Sequence, residues 1–175
     1  SGDNFMRVMQ INVNAAFMLT STLLPLLKLS ADASVVFTSS SVGRQGRAYW
    51  GAYAVSKFAC EGLMQVLADE VEGISQVRAN SINPGATRTD MRALAYPGEN
   101  PASNPAAEDI MPLYLYGVLG ILPPNIAKTA AGRASCGFWR PITYRLSAGS
   151  HQSIPLNPQV LAIHLSVRMC IYPGG

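Results

Sequence analysis

Residues 4–29, "NFMRVMQINVNAAFMLTSTLLPLLKL", carry apolar side chains at mixed spacings of three and four over many turns, which predicts a long helix largely buried in packing. Pro25 should bend it or mark its last turns. The short β-branched run "SVVFTS" (34–39), bounded by polar residues, has the pattern of a strand covered on both faces, with its C-terminal end pointing at a run of serines. From Gly51 to about Glu72 the pattern returns to helix, with Phe58, Leu63, Val66 and Leu67 expected toward a core. "QVRANSIN" (76–83) predicts a second strand, stopped by Pro84-Gly85. Strand, helix, strand in that order implies a parallel crossover. Beyond it, "TRTDMRALA" suggests a short helix, residues 96–106 a surface loop, and "AEDIMPLYLY" the start of another helix.

Composition narrows the class. The chain has 175 residues, 49% hydrophobic and 13% charged, enough for one domain with a real core and not for two. A formal net charge of +3 names no nucleic acid or anionic membrane as partner. Three scattered cysteines, Cys60, Cys136 and Cys170, form no CxxC and no zinc set, so no metal site is expected and a reducing, cytoplasmic setting fits. No basic-then-apolar leader opens the chain, and "IMPLYLYGVLGIL" (110–122) is too short and too broken by Pro112, Gly117 and Gly120 to span a bilayer, so no membrane role is expected. All ten acidic residues lie at or before Asp109, although at the same frequency roughly six would follow it. That shift divides the chain into residues 1–116 and an atypical tail, 117–175, which reads as out of frame or disordered.

The chemistry centres on "GAYAVSK". Tyr53 and Lys57 are four positions apart and share one face of a helix. Moving a tyrosine from pKa about 10 to about 7 takes roughly 4 kcal/mol. A lysine cation about 5 Å away supplies on the order of 3 kcal/mol at an effective dielectric of 20. A tyrosine tuned this way exchanges a proton with a carbonyl or alcohol oxygen near neutral pH. The competing reading is a half-buried tyrosine beside a solvated lysine. Ser40 stands just past the first strand, at the edge where open α/β sheets bind ligands, and its hydroxyl can hold a reacting oxygen; Ser39 and Ser41 read as turn or capping serines. Arg44 and Arg47 in "GRQGR" read as a solvated loop rather than as partners of an acidic substrate. A serine hydrolase fares badly as a reading, since no GxSxG occurs and no histidine precedes His151.

Taken together, "INVNAAF", "FTSSSVG", "YAVSK" and "INPGATRTDM", in that order, resemble the short-chain dehydrogenase/reductases over roughly residues 5–116. The resemblance implies a three-layer, Rossmann-like α/β fold with a parallel sheet. It implies Tyr53 as general acid/base, Lys57 lowering the tyrosine pKa and binding the nicotinamide ribose, Ser40 holding the substrate oxygen and Asn12 keeping a water in the proton relay. Pro84, Gly85, Thr87 and Thr89 would lie along the nicotinamide and its phosphates, with the two threonines alternatively capping the next helix. The implied cofactor is NAD or NADP, the substrate a small carbonyl or alcohol, and the partner a second copy of the chain through the two long helices. The family's glycine-rich TGxxxGIG turn and NNAG strand end do not occur in these residues, so the sheet is expected to be incomplete, its N-terminal dinucleotide-binding βαβ units missing, and cofactor affinity weak or unmeasurable. The rival expectation is a catalytically inactive truncated fragment acting at most as a structural or interaction piece.

Overall fold

A computed structural model describes residues 1–119 together with the backbone of two strand segments, Ser135–Phe138 and Val160–Leu165. The first element, helix α1 (Gly2–Leu27), is interrupted at Gln10–Asn14 by one π-helical turn. Pro25 sits in its last turn, where Leu29 and Ser30 donate to Leu26 and Leu27 and close the helix with tighter bonds. Only Val8, Asn12, Ala16, Thr20 and Leu27 are buried, an inward stripe whose first four members are spaced by four. Phe5, Met6, Phe17, Met18, Leu19 and Leu26 stand exposed, so the helix is less buried than its pattern predicts. It is also, by length and composition, long and apolar enough to cross a membrane, while lending Ala16 and Leu27 to the core.

Strand β1 (Asp32–Thr38) follows, then helix α2 (Gly51–Val71) and strand β2 (Val77–Asn83). β1 and β2 pair in parallel, with Val35 opposite Ala79 and Thr38 opposite Ile82. β4 (Val160–Leu165) pairs in parallel with the other edge of β1, and β3 (Ser135–Phe138) pairs antiparallel with β2, giving the order β3-β2-β1-β4. The parallel core is the one expected. The antiparallel β3 beside it is a departure of a common kind, an antiparallel edge on a mostly parallel sheet. Apart from these two strands, residues 120–175 of the expected tail lie outside the described residues.

Alternation along β1 explains the layers. Ala33, Val35 and Phe37 face one way and pack with Ala16, Leu27, Met64, Leu67 and Val71 of the two long helices. Val36 faces the other way and packs with Ile82, Ile110 and Leu113, the last two from helix α4 (Ala107–Leu119). Gly117 lets α4 lie close, because a Cβ there would meet Ile82 Cδ1 at 2.7 Å, and its carbonyl accepts from the buried Ser34 hydroxyl at 3.0 Å. Fully burying a side chain such as Val35, Val36 or Phe37 contributes roughly 1.5–3 kcal/mol each. The result is a three-layer α/β sandwich with the sheet in the middle, as the sequence implies.

α2 is turned differently from its apolar pattern. Phe58 and Val66 are exposed, whereas Lys57 and Glu61 face inward beside Met64 and Leu67. Polar partners waiting beneath the helix account for that rotation, and they belong to the site described next. After β2 the chain forms a turn at Pro84-Gly85, the short helix α3 (Asp90–Ala95), and a loop with one 3-10 turn at Pro101–Ser103.

Candidate active site

At the carboxyl end of the sheet, β1 and β2 finish side by side, with the Ser39 amide donating to the Ile82 carbonyl at 2.7 Å. Ser40 follows in extended conformation just before the 3-10 turn Ser41–Gly43, and its side chain makes no capping bond to that turn. The return to α2 passes through Tyr49, with φ 68°, and Gly51, so that Tyr53 enters the first turn of the helix facing the strand ends. Its phenol is half-buried and hydrogen-bonded with the Ser40 side chain. The two residues separated by thirteen positions in sequence are thus brought together.

Lys57, one turn further, is 4% exposed, and its ammonium donates to the Thr38 carbonyl at 2.8 Å while lying 5.6 Å from the centre of the Tyr53 ring. The solvated lysine of the competing reading is therefore corrected: the side chain runs under the helix to the end of β1. Burial pushes the Lys57 ammonium below its ordinary pKa. Burial also pushes the Tyr53 phenol up to about 12, against the downward pull of the Ser40 hydrogen bond, and Cys60 and Tyr114 push it further up. The expectation that the lysine nearly suffices to bring the phenol toward neutrality is overturned for the cofactor-free site. Charge alone was counted there, whereas the largest influence on the phenol is loss of solvent, and Lys57 is not among the groups that shift it.

Asn12 occupies the π-helical turn of α1 and is 4% exposed. Its Nδ2 donates to Ser56 Oγ at 3.0 Å, and Ser56 Oγ donates in turn to the Tyr53 carbonyl at 2.8 Å. Its carbonyl accepts from the Cys60 thiol at 3.3 Å, and its Oδ1 is buried with no protein partner. Asn12 is thus coupled to the same turn of α2 as Tyr53 and Lys57. A π-turn inside a helix commonly marks a functional position.

Pro84 and Gly85 lie at the end of β2, half-buried, with Gly85 at φ 73° and its amide donating to Asn83 Oδ1 at 3.1 Å. A side chain at that φ would be strained. Thr87 is half-buried and donates at 3.5 Å to the Gly85 carbonyl. Thr89 is exposed and caps α3, accepting from the Arg92 amide at 3.2 Å, which is the capping alternative left open by the sequence.

Several neighbours escaped the sequence reading. Tyr114 on α4 shares a hydrogen bond of 3.2 Å with the Thr38 hydroxyl, and burial raises its phenol pKa. Trp50 packs against Tyr53 at 5.5 Å between ring centres and against Tyr96 at 6.1 Å, and the Arg92 guanidinium lies 3.7 Å over the Tyr96 ring. Arg44 is not simply a solvated loop residue, since its Nε pairs with Glu61 at 3.3 Å. The run "PLYLY" was the one available signal for Tyr114. Nothing in the spacing of Trp50 and Tyr96, or of Arg44 and Glu61, announces that each pair meets.

Comparisons with known proteins place the chain in a family. The family described as short chain dehydrogenase matches residues 1–100. An uncharacterised oxidoreductase of Escherichia coli K12, YciK, is 66% identical over 109 residues, covering 62% of this chain and 42% of that protein. Among solved structures, a short chain dehydrogenase from Pseudomonas syringae is 67% identical with a TM-score of 0.65, covering 75% of this chain and 50% of the other. One from Shigella flexneri 2a, complexed with NADP, is 62% identical with a TM-score of 0.64, covering 67% and 48%. The chain spans about half the length of these relatives or less. With its profile matched through residue 100 and its fold shared with such structures, this chain belongs to the short chain dehydrogenase family.

Proposed function

We propose that this chain carries the proton-transfer site of an NADP-dependent oxidoreductase that interconverts a small carbonyl compound and its alcohol. The observation that carries this reading is the convergence of Ser40 from β1, Tyr53 and Lys57 from α2, and Asn12 from α1 at the carboxyl end of the sheet. The residues present fit the nicotinamide side of a dinucleotide. Lys57 has donors beyond the one given to Thr38, suited to ribose hydroxyls, and Gly85 offers bare backbone beside Pro84 and Thr87. NADP is favoured over NAD by the Shigella relative's complex with NADP.

When bound, the cofactor supplies or accepts the hydride. Tyr53 gives its phenolic proton to the carbonyl oxygen in the reductive direction and takes it back from the alcohol in the other. Ser40 holds that oxygen by a second hydrogen bond. Lys57 places a positive charge beside the phenolate as it forms. The unpartnered Oδ1 of Asn12 holds a water that returns the proton. The rival expectation of a silent fragment draws no support from relatives that carry oxidoreductase names. A second copy of the chain is the proposed partner, covering Phe5 and Phe17 of α1 and Val55, Phe58 and Val66 of α2; light scattering should then report twice the chain mass, and a monomer would reject that assignment. The buried free thiol of Cys60 accords with cytoplasmic residence, which localisation of a tagged chain checks.

The test is a titration of the purified chain with NADPH and NADH by nicotinamide fluorescence, followed by NADPH oxidation with a panel of aldehydes and ketones. Saturable binding and carbonyl-dependent oxidation are expected, with turnover falling about 10²–10⁴-fold in Tyr53→Phe and binding retained. Absence of binding at millimolar NADPH, or turnover unchanged by Tyr53→Phe, overturns the reading.

A further inference from the structure

Tyr53, Lys57 and Glu61 lie at i, i+4 and i+8 on α2 and form one stripe facing the sheet. The first two belong to the proposed proton transfer. Glu61 does not touch the phenol or the end of β1, yet it is 6% exposed, and a buried carboxylate without partners would be strongly unfavourable. It is partnered on two sides. Oε2 accepts from Ser81 Oγ on β2 at 3.0 Å, and Oε1 pairs with Arg44 Nε at 3.3 Å. Arg44 Nη2 also reaches Ser81 Oγ at 3.4 Å, so the three side chains close a ring between helix, strand and loop.

The loop in that ring is the one that carries Ser40. Gly43 donates to the Ser40 carbonyl at 2.9 Å and Arg44 to the Ser41 carbonyl at 3.2 Å, making residues 40–44 one tight turn. Gly43 lets this turn press on α2, for a Cβ there would lie 2.9 Å from the Lys57 carbonyl oxygen. Upstream the turn is tethered by the Ser39 amide on Ile82, and downstream its side-chain tether to α2 is Arg44 on Glu61. Between the two tethers stands Ser40.

We propose that Glu61 is a positioning residue of this site: through Arg44 and Ser81 it fixes the Ser40-bearing turn against the helix that carries Tyr53 and Lys57. The proposal rests on the reading that Ser40 and Tyr53 act on one substrate oxygen. Glu61 touches no reacting atom in it and works through Arg44. Its carboxylate suits the task because charge-assisted bonds to a guanidinium and a hydroxyl are short-range and directional. Glutamine in its place keeps an acceptor for either partner and forfeits the charge.

The test reads the Ser40–Tyr53 contact itself, without turnover. The ¹³Cζ resonance of Tyr53, assigned by its loss in Tyr53→Phe, is recorded at pH 8 in cofactor-free protein, where it responds to the hydrogen bond from Ser40. Ser40→Ala sets the value for a broken contact. Glu61→Ala and Arg44→Ala are expected to move the resonance at least half of the way to that value, and Glu61→Gln to restore most of it. The double variant Glu61→Ala/Ser40→Ala should match Ser40→Ala alone, since the two changes break one contact. A folded Glu61→Ala chain with the wild-type resonance overturns the proposal. Should Glu61→Ala fail to fold, Arg44→Ala decides in the same way, its side chain being 42% exposed and dispensable to the core. A chain that passes this test and transfers no hydride would overturn the functional reading and leave the positioning role of Glu61 standing.

Discussion

The two halves of the candidate site are held together differently. On the α2 side, Asn12 bonds to Ser56 across 44 positions, Lys57 to Thr38 across 19, and Glu61 to Ser81 across 20. On the turn after β2, the side-chain contacts are local: Gly85 to Asn83, Thr87 to Gly85, Thr89 to Thr87, and Arg92 to Thr89. One longer backbone bond, from the Arg88 amide to the Pro105 carbonyl at 2.8 Å, ties that turn to its own following loop. The first half is thus shaped by the fold of the described chain, and the second keeps a local shape that a ligand can adjust. Long-range bonds form only when the whole domain closes, whereas local ones survive or fray independently.

Substitutions graded along that contrast should separate the halves by urea unfolding. Ser56→Ala has the largest expected effect. It strips Asn12 Nδ2 of its acceptor while Oδ1 already lacks a donor, costing about 1–3 kcal/mol of global stability. Gly85→Ala forces a side chain to a φ of 73° and should cost about 1 kcal/mol. Thr89→Ala removes an exposed cap and should cost under about 1 kcal/mol, appearing as fraying of α3 with little change in the global midpoint. A reversed order would mean that the turn, and not the α2 side, is integral to the folded core.

The same contrast marks what the sequence could disclose. Strands expected at 34–39 and 76–83 appear at Asp32–Thr38 and Val77–Asn83: the first contains an apolar run buried on both faces, and the second, more polar, is marked by the Pro84-Gly85 turn that stops it. The convergence of Tyr53 and Lys57 was legible from helical spacing alone. The rotation of α2 was not, since Glu61 and Lys57 look like solvent positions until Ser81, Arg44 and Thr38 are seen beneath them. The π-turn at Asn12 leaves no signature in hydrophobic period. Nor did the charges in "GAYAVSK" foretell the basicity of the phenolate, because its largest cause is lost solvent rather than any neighbouring charge. Tyr114, Trp50 and Tyr96 reach the site from three different elements, and only the tertiary fold relates them.

Burial holds Tyr53 at about 12, so with Lys57 already beside it the phenol is protonated at neutral pH and needs a further cation to become a base. One positive charge in contact range supplies roughly 3 kcal/mol at an effective dielectric of 20, about two units of downward shift. The decisive measurement is therefore the ionisation of Tyr53, followed by its ¹³Cζ resonance at pH 10.5 with and without saturating NADP⁺. A protonated phenol is expected in the free chain and a largely ionised one with NADP⁺ present. A phenol already ionised without NADP⁺, or one that stays protonated at millimolar NADP⁺, would contradict a nicotinamide-dependent acid/base site at Tyr53.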